Sequence, residues 1–177
     1  MDPFAVLGLP RRFGIDLKVA EARHLELSKA LHPDKYAGAG AGERRLALSR
    51  AVEVNEAWRA LRDPIKRAEA VLRLSGLENE IGETREPKPT GAFLMEVMEA
   101  RERLDAAKSA RDANAVASVV QEARTQFRET ESELARAIDE ADSKEKLREA
   151  IPVLGRLRYA ARFLDEARNA EDDLAGM

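Results

Sequence analysis

The chain has no cysteine, which removes disulfides, thiolate metal sites and cysteine nucleophiles together. Histidine is nearly as scarce, with only His24 and His32 among 177 residues. Neither sign of charge dominates: 30 basic residues face 33 acidic ones, for a formal charge of −3. A nucleic-acid surface would need a basic excess, so no nucleic-acid partner is expected. No apolar run approaches the ~20 residues that span a bilayer, so no membrane partner is expected either. The opening stretch MDPFAVLGLPRRFG has no basic lead before a long apolar core and is not an acid-poor amphipathic presequence. No targeting peptide is read there, and a cytoplasmic protein is expected.

What is present favours helices. Charged residues make up 36% and apolar residues 44%, with 5% aromatics and seven prolines, a mix that suits solvated amphipathic helices better than sheets. The length allows one domain or two small ones. In the first residues Asp2 can cap a short helix, Pro3 suits its first turn and Gly8 its end. Asp16 is a second acceptable N-cap. Behind it Ala20, His24, Leu27 and Leu31 step by 4, 3 and 4 along one helical face. Pro33 disfavours helical dihedrals at His32, so this helix should stop there. Residues 35–42 form a Gly- and Ala-containing loop. A third helix from about Glu43 carries Ala47, Ala51, Val54, Trp58 and Leu61 on its stripe, and the two stripes predict an antiparallel hairpin. A fourth helix is capped by Asp63, opened by Pro64 and followed by Gly76.

The segment LENEIGETREPKPTGA, with two prolines and two glycines, reads as a domain boundary. The expected division is residues 1–75, a linker at 76–91 and a second domain at 92–177. In that second half one helix is predicted over 92–111 and another over 112–140, the latter with Val116, Val120, Ala123, Phe127, Thr130, Leu134 and Ala137 on its face. A third is predicted from about Ser143 to the tail, kinked by Pro152. The fold class is all-α, its second half a three-helix bundle.

The sequence ALHPDKYAGAG puts a histidine next to a proline and an aspartate at the turn of the predicted hairpin. As a catalytic dyad, His32 and Asp34 would need a nucleophile or substrate pocket, and the local hydroxyls are only Ser28 and Tyr36. As a metal site they lack a third ligand at recognisable spacing. A third reading is local: His32 ends a helix and Asp34 caps a turn. A fourth is that the loop is displayed for another protein.

A helical hairpin whose turn reads HPDK, with a short helix before it and a fourth helix after it, resembles the J-domain of DnaJ-type co-chaperones. The residues that carry the resemblance are His32, Pro33 and Asp34, with Lys35 continuing the pattern. It implies that the loop docks on the ATPase domain of a DnaK-like chaperone and stimulates ATP hydrolysis there, with Asp34 engaging an arginine or polar network. Arg23 and Lys29 are candidates for an electrostatic docking face on the second helix. This helix, VAEARHLELSKALH, is mixed in charge where ordinary J-domains carry a denser basic run. His24 stands where a core aromatic is expected and is read as a packed histidine.

The stretch GAFLMEVMEARERLDAAK has two apolar arcs. At ~100° per residue Phe93, Val97, Ala100, Leu104 and Ala107 share one narrow arc, while Leu94, Met95 and Met98 point away from it, among Glu99 and Glu102. A second apolar patch rimmed by carboxylates suggests a binding surface, to which methionine adapts well. It could equally pack against the J-domain or a neighbouring helix.

AFLMEVMEARERLD is similar to the corresponding helix of HscB-type co-chaperones, J-proteins dedicated to iron–sulfur cluster assembly. VNEAWRALRDPIKRAEAVLRLSG and RLRYAARF extend the resemblance in collinear order over nearly the whole chain. The resemblance implies an L-shaped molecule whose bundle binds the iron–sulfur scaffold protein through Leu94, Met95, Met98, Glu99, Glu102 and, from the last helix, Tyr159. Met98 stands where the family more often has leucine, and Tyr159 where phenylalanine is also found. The implied protein is no enzyme and has no cofactor, catalytic residue or metal site. It is an adaptor, adequate as a monomer, that brings the scaffold to a specialised DnaK/HscA-type ATPase and promotes cluster transfer. The absence of cysteine fits, because an adaptor handles the scaffold and ligates no iron. Some eukaryotic relatives carry a cysteine-rich N-terminal region and a targeting sequence, so the bacterial type fits better. Two alternatives stay open: a general J-domain co-chaperone that delivers unfolded clients, and a structural helical protein that oligomerises along its stripes.

Overall fold

A computed structural model describes residues 1–82, Arg85, Pro87 and 90–176. The remaining residues of the expected 76–91 linker, and Met177, lie outside the described residues. The described chain is helical and divides into two compact units, Met1–Glu78 and Asn79–Met177.

The first unit begins with α1, Pro3–Leu7. Asp2 Oδ1 accepts the amides of Phe4 and Ala5 at 3.0 and 3.2 Å, and Pro3 takes the first helical position, where no amide hydrogen is needed. Gly8 closes the helix at φ 64°, the left-handed region that suits glycine. Helix α2, Leu17–Ala30, is capped by Asp16, which accepts the amides of Lys18 and Val19 at 2.8 and 3.3 Å. It ends because His32 is held extended, at φ −61° and ψ 134°, ahead of Pro33.

Residues Pro33–Tyr36 then form a single 3₁₀ turn. Helix α3, Ala41–Arg62, starts two residues earlier than the predicted Glu43. The reason is that Glu43 is the third residue of the helix, and its carboxylate accepts the Gly40 amide at 3.3 Å. Helix α4, Pro64–Leu74, is capped by Asp63 through the amides of Ile65 and Lys66 at 2.9 and 3.1 Å.

The core of this unit includes Phe4, Leu7, Phe13, Ala20, Val54, Ala57, Leu61, Ala68 and Leu72, all buried. Fully burying the Phe, Leu and Val side chains among them contributes about 1.5–3 kcal/mol each. Of the stripe predicted for α2, only Ala20 is fully buried, while His24, Leu27 and Leu31 are half-buried. His24 packs as expected of a structural histidine. Its ring stacks on Trp58 at 5.5 Å and its Nε2 lies 3.0 Å from Asn55 Oδ1. A buried arginine was not anticipated. Arg67 donates to the Leu61 carbonyl at 2.7 Å and lies over the Phe13 ring at 4.4 Å, so the charge is enclosed with partners.

The second unit holds α5, Gly91–Ser109, α6, Ala113–Asp139, the short α7, Lys144–Arg148, and α8, Ala150–Ala175. Ahead of α5, Glu80 accepts a hydrogen bond from Arg148 at 2.9 Å. Ala100, Leu104, Val116, Val120, Ala123, Phe163, Leu164 and Ala167 form a continuous core shared by α5, α6 and α8. Thr130, buried within the α6 stripe, donates its hydroxyl to the Gln126 carbonyl at 2.8 Å, so its own polar group is satisfied.

The predicted last helix is in fact two. A continuous helix would ask the Pro152 ring to occupy the space of the Arg148 carbonyl, four residues back. The chain instead ends α7 at Arg148 and restarts at Ala150. Pro152 then falls in the first turn of α8, where an amide hydrogen has no intrahelical acceptor. Gly155 remains helical and buried.

Candidate functional site

The two candidate constellations lie in different units. In the first, α2 and the 3₁₀ turn deliver His32, Pro33, Asp34 and Lys35 to the surface, all four exposed. The His32 ring accepts the Asp34 amide in a long contact of 3.4 Å, and its Nδ1 is 3.5 Å from Asp34 Oδ2. Lys35 closes the turn through its own amide to the His32 carbonyl at 3.0 Å. The side chain of Asp34 is 91% exposed. Among the described residues no group of three or more histidines, aspartates or glutamates could hold a metal.

Arg23 and Lys29 both lie exposed on α2. Their six-residue separation puts them about 120° apart around the axis, with Glu26 between them. Arg23 pairs with Glu26 at 3.2 Å. The two cations therefore flank the helix, and Arg23 presents its charge beside a carboxylate.

In the second unit, α5 buries Phe93, Val97, Ala100, Leu104 and Ala107. That stripe turns Met95 and Met98 outward, 63% and 60% exposed. Leu94 is half-buried at the edge of the same face, and Glu99 and Glu102 are exposed. Tyr159, half-buried on α8, packs its ring at 6.4 Å and 86° against Phe93 of the buried stripe. The exposed face of α5 is an apolar strip with carboxylates beside it, while the aromatic of α8 meets the buried stripe of α5. It can bury apolar side chains of a partner and answer cations at its rim, and it has no nucleophile poised by a base.

Sequence reasoning missed Arg162, whose Cζ lies 4.6 Å from the Tyr159 ring centroid. The signal was available, since a cation three residues after an aromatic on one helix meets it.

A family model described as the HSCB C-terminal oligomerisation domain matches residues 90–168. The co-chaperone protein HscB homolog of Mannheimia succiniciproducens is 34% identical over 174 residues, covering 98% of each chain. That of Haemophilus influenzae is 33% identical over 171 residues, covering 97% of this chain and 95% of its own. The solved structure of chaperone HscB from Vibrio cholerae aligns with a TM-score of 0.82 at 28% identity, over 98% of this chain and 99% of that one. The human co-chaperone protein HscB shares the fold, with a TM-score of 0.81 at 23% identity over 96% of this chain and 81% of its own. No described helix is long and apolar enough to cross a membrane. An all-helical chain with a displayed His-Pro-Asp turn, related from end to end to such proteins, belongs to the HscB family of co-chaperones.

Proposed function

We propose that this co-chaperone is a two-ended adaptor for iron–sulfur cluster transfer. Residues 1–75 act as a J-domain that docks on a DnaK/HscA-type chaperone through His32, Pro33, Asp34 and Lys35, aided by Arg23 and Lys29, and stimulates its ATPase. Residues 92–177 bind the scaffold protein through Leu94, Met95, Met98, Glu99, Glu102 and Tyr159. Holding scaffold and chaperone on one chain raises their effective concentration for each other. ATP hydrolysis then traps the chaperone on the scaffold and promotes release of the cluster to an acceptor. One copy of the chain carries both surfaces, so the reading requires no self-association, and it operates in the cytoplasm.

The observation that carries the reading is the exposure of Met95 and Met98 on a helix whose opposite face is already committed to the core. Two large apolar side chains left in water on adjacent turns are expected at a partner surface. The test is titration calorimetry into purified scaffold protein, with the wild type beside a Leu94→Ala, Met95→Ala, Met98→Ala triple variant. Saturable binding that the triple variant loses is the expected result. Binding that survives the triple substitution, or no binding to scaffold with or without its cluster, would hand the client role to unfolded chains and overturn the adaptor.

A further inference from the structure

The Tyr159 ring is held from two sides. Its edge contact is made with Phe93, itself only 7% exposed and thus anchored in the core. Over its face lies the guanidinium of Arg162, with Cζ 4.6 Å from the centroid. Arg162 is exposed and follows Tyr159 by three residues on α8. One turn further along α8, Glu166 accepts a hydrogen bond from Arg101 of α5 at 3.1 Å, so the backbone that carries both side chains is tied to the helix that carries the methionines.

A planar guanidinium is attracted to the negative face of an aromatic ring, and its flat shape covers that face. Phe93 meets the ring at near-perpendicular planes and leaves its face to Arg162. Both contacts favour the orientation in which the half-buried ring is found. Ordering a loose side chain opposes association, and a side chain ordered in advance removes that opposition.

We propose that Arg162 is a positioning residue of the scaffold-binding surface, acting through Tyr159 by holding its ring in the orientation the partner meets. This rests on the adaptor reading above. The interaction depends on charge and planarity together, so lysine, which keeps the charge without the planar fork, substitutes only in part. Methionine keeps a flexible stem of similar length and supplies neither.

The test uses the full chain and purified, cluster-free scaffold protein, with Arg162→Ala, Arg162→Lys and Arg162→Met in the wild-type and Tyr159→Leu backgrounds. Helical circular dichroism verifies folding, which an exposed position should not disturb. Arg162→Ala and Arg162→Met are expected to weaken binding roughly three- to tenfold, Arg162→Lys by less, and Arg162→Ala by nothing further once Tyr159 is leucine. In the free protein, Arg162→Ala should shift the Tyr159 ring resonances. Unmoved ring resonances overturn the positioning role whatever the scaffold does. So does an undiminished loss in the Tyr159→Leu background together with a steep salt dependence, which would make Arg162 a direct ionic contact. An unchanged Kd in the wild-type background overturns it too. If the wild type itself fails to bind scaffold, the adaptor reading falls and the binding role of Arg162 falls with it, while the ring resonances still report the clamp.

Discussion

In the turn after α2, Nδ1 of His32 lies 3.5 Å from Oδ2 of Asp34, yet 91% of the Asp34 side chain is open to solvent. The approach leaves the carboxylate open to a partner. Pro33 fixes the backbone between the two residues, and Asp34 lies within the single 3₁₀ turn Pro33–Tyr36. The contact is long and both side chains are exposed, so it holds the carboxylate only weakly. A cation on a docking partner can therefore take over the Asp34 carboxylate with little lost in the free protein.

Asp34→Asn keeps the shape of the side chain and removes its charge. Folding stability is expected to stay within about 0.5 kcal/mol, as for other exposed positions without special contacts. Losing one member of a charge pair that becomes buried on docking costs ~2–5 kcal/mol, so stimulation of the chaperone ATPase should fall by roughly tenfold or more at sub-saturating concentrations. Scaffold binding should be unaffected. Steady-state ATPase assays beside calorimetry with scaffold read both ends. Equal losses in the two assays would count against separate surfaces.

The helix starts were legible because their causes are local. Asp2, Asp16 and Asp63 each accept amides two and three residues ahead, a reach that short-range pattern contains. The start of α3 was placed late because its cap is a glycine with no side chain to signal it. Other features depend on partners that only the fold brings together. The sequence of α4 carries no signal for the burial of Arg67, which is decided by Phe13 and the Leu61 carbonyl. Phe93 was readable as core, but its edge contact with Tyr159 joins α5 to α8. The outward turn of Met95 and Met98 did follow from periodicity, because the five-residue buried arc of α5 leaves them no inward direction.

The α7–α8 break makes a prediction about Pro152. Had the helix run through it, replacing the proline would relieve about 3 kcal/mol or more of lost hydrogen bonding and steric clash. In the first turn of α8 there is nothing to relieve, and proline also restricts the unfolded chain. Pro152→Ala should therefore be neutral or destabilise by up to about 1 kcal/mol, measured by urea unfolding. A stabilisation of 2 kcal/mol or more, on the order of that expected for an interior proline, would mean that residues 144–175 behave as one strained helix.

The two faces of α5 make opposite predictions for stability and binding. Leu104 is fully buried in the core shared with α6 and α8. Leu104→Ala removes apolar contacts and leaves a cavity, for a loss of about 2–5 kcal/mol. Met98, on the other side of the same helix, is 60% exposed, and Met98→Ala should change stability by no more than about 0.5 kcal/mol. If the exposed face is the scaffold surface, binding by the folded protein reverses the order: Met98→Ala weakens it, and Leu104→Ala lowers it only by the fraction of molecules unfolded. Urea titration and calorimetry on the same two variants separate the cases. A large stability loss for Met98→Ala would mean that the methionine is packed in solution against something it does not touch here, and the strip would then belong to the fold.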